Sequence, residues 1–259
     1  MLKPRIIPCL LVSDKGLVKT VNFKNPKYVG DPINAVRIFN EKQVDELMVL
    51  DIDASAEGRE PDYKMIANLA AECRMPLCYG GGVKTVEQAQ RIFALGVEKI
   101  AISSAAIENP ELVSMIAEQV GSQSIVVILD IKKKLLGGYQ VLIKNGKIST
   151  NKKPVDFIRE LEKLGVGEII INSIDNDGAM KGYDFTLVDE IREIVKVPLT
   201  ILGGAGKLED IGKLVSRYGI IGAAAGSLFV FKGIYNAVLI NYPSREEKDI
   251  LIKQNFNRN

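Results

Sequence analysis

The chain has 259 residues, 47% of them hydrophobic, with 34 basic against 32 acidic side chains and a net charge of +2. That length can bury a sizeable core, and the charge balance points to neither nucleic acid nor a membrane surface. No apolar run approaches the roughly 20 residues that cross a bilayer, and histidine is absent, so acid–base chemistry falls to carboxylates, lysines or tyrosines.

In chain order the β-rich runs are "RIIPCLL" (5–11), "ELMVLDI" (46–52), "PLCYG" (76–80), "KIAIS" (99–103), "SIVVILD" (124–130), "EIIINS" (168–173), "PLTIL" (198–202) and "IIGAAA" (220–225). Their near-continuous hydrophobicity suits parallel strands covered on both faces. Helices start between them. Asp31-Pro32, Asn109-Pro110 and Lys153-Pro154 put proline in a first turn, and Thr85-x-x-Gln88 reads as a capping box. Eight such units over residues 1–242 predict a single (β/α)8 barrel, which a doubly wound sheet of five or six strands fits less well. An insertion over 135–153, with Asn145-Gly146 between two β-like runs, predicts a hairpin, and the polar 243–259 reads as a loosely held tail.

The chain repeats itself. Gly81 and Gly82 recur 122 residues on as Gly203 and Gly204, Glu46 as Glu168 and Asp53 as Asp175. Each half is therefore a four-strand half-barrel related to the other by a pseudo-two-fold axis. Glycines at strand C-termini bring backbone N–H groups close to an anion, and the next helix start adds its positive end. Gly81, Gly82, Ser103 and Ser104 form one predicted phosphate cradle. Gly203, Gly204, Gly226 and Ser227 form the other, with Gly178 of "NSIDNDG" nearby. Such paired cradles predict a substrate with a phosphate at each end; the alternative is that the glycines only permit tight turns.

Carboxylates at strand C-termini are the catalytic candidates of a barrel. Asp51, Asp130, Asp175 and Asp177 qualify. Asp130 is the sharpest, since it closes the apolar run "SIVVIL", where an unpaired charge is costly unless it faces a polar cavity. Symmetry asks for a second acid at the end of strand one, and Leu11 stands there. At the opposite end, Arg5, Glu46, Lys99 and Glu168 each begin a strand and can form a ring of alternating charge, either a stability device or a gate. The three cysteines, Cys9, Cys73 and Cys78, suit a reducing cytoplasm and neither a disulfide framework nor zinc. The pattern calls for no cofactor and no metal.

The motifs "RIIPCL", "GDP", "ELMVLDI", "GGGV", "NSIDNDG", "GYD" and "GGAGK", in that order over residues 1–242, resemble the cyclase subunit of imidazole glycerol phosphate synthase. The resemblance implies a barrel that works with a glutaminase docked at its N-terminal face. Ammonia then passes a gate matched by Arg5, Glu46, Lys99 and Glu168 and crosses the barrel past small residues such as Cys78 and Ala101. At the top it meets a bis-phosphorylated substrate. Asp130 matches a catalytic aspartate, Lys19 the lysine of a mobile first loop, and Asp177 lies among the catalytic candidates. Leu11 departs from the pattern by replacing the second catalytic acid. Together with "GLVKTVNFKNPKYVGDP" it is more similar to a paralogous branch associated with surface polysaccharides, in which a separate sugar amidotransferase is implied. The readings that stay open are sugar amidination, histidine-pathway cyclisation, a non-catalytic ammonia conduit and a phosphosugar isomerase.

Overall fold

The computed structural model describes residues 3–256, with the side chains described through 253. β1 (Arg5–Ser13) runs directly into an antiparallel hairpin of β2 (Gly16–Val21) and β3 (Lys24–Gly30), followed by α1 (Pro32–Glu41). Then come β4 (Leu47–Asp51), α2 (Tyr63–Glu72), β5 (Leu77–Gly80), α3 (Val86–Ala94), β6 (Lys99–Ile102), α4 (Ser104–Glu108) and α5 (Glu111–Val120). The second half begins with β7 (Ile125–Lys133), its hairpin β8 (Tyr139–Ile143) and β9 (Ile148–Ser149), and α6 (Pro154–Lys163). β10 (Glu168–Ser173), α7 (Phe185–Arg192), β11 (Leu199–Leu202), α8 (Leu208–Tyr218) and β12 (Gly222–Ala225) follow. The chain ends with α9 (Ser227–Val230), the short hairpin β13 (Phe231–Lys232) and β14 (Ala237–Val238), and α10 (Arg245–Phe256).

β1, β4, β5, β6, β7, β10, β11 and β12 pair in parallel in that order, and β12 pairs with β1. The sheet is closed, and all eight sequence-derived strands lie in it. The caps follow the local chemistry. Asp31 accepts from Asn34 N at 2.8 Å ahead of Pro32, and Thr85 with Gln88 forms the expected capping box. The Asn145-Gly146 turn joins β8 to β9, with Lys144, Asn145 and Gly146 all at positive φ.

Period two sorts each strand into two faces. Ile6, Leu10, Val49, Val127 and Ile171 pack outward under the helices in the main core. Ile7, Met48, Cys78, Ala101, Val126 and Ala224 point inward as a separate apolar cluster. That inner column joins the two ends of the barrel.

Three segments differ from the sequence reading. The stretch after strand one is not a loop but the β2–β3 hairpin, because Asn22 and Phe23 take left-handed turn conformations between two extended runs. Residues 231–238 form a further hairpin. The polar tail is helical as α10: it packs on α8, places Leu251 against the core, and sets Lys248 Nζ 2.7 Å from Asp45 Oδ1. It thus fills the gap between α8 and the turn from α1 to β4. A helix that buries only a narrow stripe carries little apolar signal.

Candidate active site

At the N-terminal end of the barrel the four strand-start charges meet. Arg5 Nη1 bonds Glu46, and its Nη2 lies 2.6 Å from Glu168 Oε1. Lys99 Nζ sits 2.9 Å from Glu46 Oε2 and 2.9 Å from Glu168 Oε2. Each cation therefore bridges both carboxylates. Burial pushes the Glu168 carboxyl up, but Arg5, Lys99 and Thr200 together outweigh it and hold the group below the usual glutamate range. Burial likewise opposes the charge on Lys99, and Glu168 and Glu46 overcome it and raise its pKa. Thr200 is a fifth member that sequence reading missed: its Oγ1 donates to Glu168 Oε1 at 2.6 Å. Its inward position two residues into "PLTIL" was the available signal, masked because threonine is ordinary in strands.

Beside this ring β12 carries Gly222. A Cβ there would lie 1.9 Å from Thr200 Oγ1, so only glycine leaves that hydroxyl its bond to Glu168. Gly222→Ala is expected to lower stability by about 2 kcal/mol through overpacking. Urea unfolding checks this, and a parent-like midpoint would mean that Thr200 turns aside freely.

The C-terminal end is a pocket. All but one of the sequence-derived catalytic and phosphate candidates line it: Lys19, Asp130 and Asp177, with Gly81, Gly82, Ser103, Ser104, Gly178, Gly203, Gly204, Gly226 and Ser227. Asp51 and Leu11 line it too. Asp175 does not, since its Oδ2 accepts from Lys133 N at 2.9 Å and so anchors a loop.

Asp130 and Asn172 are register partners on β7 and β10, and Asn172 Nδ2 donates to Asp130 Oδ1 at 2.9 Å. Burial pushes the Asp130 carboxyl up to about 7; the Asn172 bond opposes this and the charge of Asp177 adds to it. A carboxyl poised there can both take and give a proton near neutrality. Burial also raises Asp177, against a 2.8 Å hydrogen bond from Thr20 Oγ1 and the charge of Lys19. Asp51 accepts from Asp53 N and Ala54 N at 3.0 Å each, so its carboxylate also braces the loop after β4.

Lys19 does not sit on a free loop. It is a buried residue of β2, its Nζ donates to Cys9 O at 2.7 Å, and burial lowers its pKa. The hairpin that carries it is fastened at its tip, where Asn22 Nδ2 donates to Ile174 O at 3.0 Å and to Asp175 O at 2.6 Å. Leu11 presents an apolar side chain to the same pocket, paired in register with Leu50 and Val18.

The two glycine pairs are equivalent in detail. Gly81 and Gly203 have φ of +124° and +91°, and a Cβ on them would fall 2.5 Å from Asp51 O and 2.7 Å from Ser173 O. Asp51 and Ser173 are themselves repeat partners, 122 residues apart. The other glycines serve neighbours. A Cβ on Gly178 would strike Thr20 O at 2.0 Å, and one on Gly226 would strike Lys19 Nζ at 2.5 Å, so both make room for the first hairpin. The sequence also concealed Phe23 and Asn145, which line the pocket from the two hairpin tips.

Fold and pocket thus define a (β/α)8 barrel of two half-barrels, with a glycine-lined pocket at one end and a ring of ion pairs at the other. The family model for the histidine biosynthesis protein matches residues 5–236. A Vibrio vulnificus protein, provisionally named imidazole glycerol phosphate synthase subunit hisF3, is 59% identical over 96% of both chains. A Leptospira interrogans protein, provisionally named as subunit HisF of the same enzyme, is 58% identical over 97% of this chain and 99% of its own. The imidazole glycerol phosphate synthase subunit HisF of Clostridium botulinum (strain Langeland) is 40% identical over 95% of this chain and 98% of its own. The chain belongs to the histidine biosynthesis protein family, among its HisF-like cyclase subunits.

Proposed function

We propose that this chain is the synthase subunit of a glutamine-dependent amidotransferase. In this reading it takes ammonia from a glutaminase at its N-terminal face and delivers it to a phosphorylated or nucleotide-linked sugar, as in amidination of a surface-polysaccharide sugar. The observation that carries this reading is Leu11 in the pocket of Asp130. Cyclisation and cleavage need a paired general acid and base, and leucine moves no proton. The identities agree with a separate branch, being 53–59% to the provisionally named relatives and 40% to the Clostridium subunit.

Each part of the barrel has a task in this reading. The ring of Arg5, Glu46, Lys99 and Glu168 faces the glutaminase and is the first charge that ammonia meets. Beyond it the inner column is apolar, with Cys78, Ala101 and Ala224 among its smaller residues. Neutral ammonia crosses such a column at far lower cost than ammonium, which would lose the hydration of a full charge. At the top the ammonia nitrogen adds to the acceptor's carbonyl carbon, and Asp130, held by Asn172, relays two of the ammonia protons to the carbonyl oxygen, which leaves as water. The glycine pairs hold the phosphates of the acceptor, and a separate sugar amidotransferase receives the product or completes the step. One feature favours the histidine-pathway alternative: Asp130, titrating near 7, is able to serve as acid and base in turn.

The two readings part on one assay. Given ammonium salts and the bis-phosphorylated histidine-pathway substrate, this protein is expected to react about 10²–10⁴-fold more slowly than a relative with an acid in place of Leu11. Leu11→Asp should recover part of that rate. Parent turnover at an ordinary enzymatic rate would establish the histidine-pathway reading instead.

A further inference from the structure

The two cradles are alike in backbone but open onto different surroundings. In the second half the glycines open onto the main pocket and neighbouring groups pack against them. Gly182 N donates to Gly204 O at 2.8 Å, and the Lys19 ammonium fills the room that a Cβ on Gly226 would need. In the first half the main pocket continues outward, across Ser55, Ser104 and Ala105, into a second cavity of about 310 Å³. Lys84, from the turn between β5 and α3, and Lys144, from the tip of the β8–β9 hairpin, stand on its walls.

Lys144 is placed there by its backbone. Its N–H donates to Ser104 Oγ at 3.1 Å, and the neighbouring Asn145 Nδ2 donates to Ile52 O at 2.7 Å. The hairpin tip is thus tied to the cradle that it overhangs.

The cavity also holds two acids, and both are engaged. Glu57 lies 2.5 Å from Arg59 Nε, and Glu108 lies 3.2 Å from Lys144 Nζ. The Lys144–Glu108 side chains are 38% and 49% exposed, so that pair contributes little and yields readily to a more highly charged anion. Lys84 makes no ion pair among the described residues. The wall therefore has one cation unpaired and a second easily released.

We propose that this cavity is a subsite for the second phosphate of a diphosphate-linked substrate. The first phosphoryl group lies in the cradle of Gly82 and Ser104, and the next lies between Lys84 and Lys144. The inference rests on the reading of that cradle as a phosphate site and narrows the substrate class. A nucleoside diphosphate sugar uses both positions, whereas a sugar with a single phosphate at each end leaves the outer one unused.

Titration of the full chain with inorganic phosphate and with inorganic pyrophosphate, followed by calorimetry, tests it. Pyrophosphate is expected to bind roughly tenfold tighter than phosphate, as charge-assisted contacts to two lysines allow. The Lys84→Met/Lys144→Met double variant should lose that advantage and keep the phosphate isotherm, which also reports that it is folded. Lys84→Met alone, which leaves the Lys144 ammonium in place, should lose part of it. Equal affinity for the two anions in the parent, or an advantage that survives both substitutions, overturns the subsite while leaving the cradle standing. Binding of neither anion refutes the cradle and takes the subsite with it.

Discussion

Asp130→Asn is expected to stabilise the barrel above pH 7 while removing the reactivity of the pocket. The carboxyl is pushed up to about 7 by burial in the folded protein, against about 3.9 in the unfolded chain. The folded state therefore binds this proton more tightly. Its contribution to stability is fully present below the unfolded pKa, falls as pH rises, and is lost once pH passes through about 7. A shift of that size corresponds to an upper bound of about 4 kcal/mol, reduced by the water that the open pocket admits. Asparagine carries no charge and keeps an acceptor for Asn172 Nδ2, so it escapes this loss. Urea unfolding from pH 4 to pH 8 should show parent and variant converging at the acid end and the variant ahead at the alkaline end. An unchanged pH slope would mean that Asp130 ionises without penalty. Turnover should fall about 10²–10⁴-fold, as for loss of a positioned acid–base group.

The second large effect is expected at the ring. Glu168 is a buried member that accepts from Arg5, Lys99 and Thr200 at once. Glu168→Gln leaves two cations facing Glu46 alone, and breaking a buried pair in this way costs about 3 kcal/mol. Lys99 is half-buried, so Lys99→Ala should cost less and leave the fold intact. Its effect belongs in the assembled complex, where glutamine-driven transfer should change while transfer from added ammonium persists. If both nitrogen sources respond alike, the ring is structural only. The pH dependence follows from the two directions of shift. The depressed Glu168 pKa gives stability present above the ordinary glutamate range and lost as pH falls through the folded value. The raised Lys99 pKa gives stability present below the ordinary lysine range and lost as pH rises through its folded value. Neutral pH lies inside both limits.

The positions of the acids show how far local chemistry reaches. Asp130 and Asp175 are both aspartates at or just past the end of a β-rich run in the sequence. Asp130 points inward from β7 beside Asn172, and Asp175 turns back to hold Lys133 N. Asp130 lies within β7 in register with Asn172, whereas Asp175 lies in the turn two residues past β10, and register is a property of two strands rather than one. Lys19 makes the same point: the resemblance put it on a mobile loop, while pairing of β2 with β1 and β3 buries it against Cys9 O.

By itself the sequence determined the eight strands, the half-barrel repeat and the strand ends at which charge and glycine cluster. These follow from hydrophobic runs, proline and capping residues, and backbone conformations that glycine alone adopts easily, all of which act within a few residues of chain. Only the tertiary structure decided that Thr200 joins the ring, that Gly222, Gly178 and Gly226 make space for neighbours from other strands, and that two hairpin tips roof the pocket. It also decided that the polar 245–256 segment packs as a helix on α8. Each of these depends on which atoms closure of the barrel brings within a few ångströms, and contacts between residues tens to hundreds of positions apart leave no periodic trace along the chain.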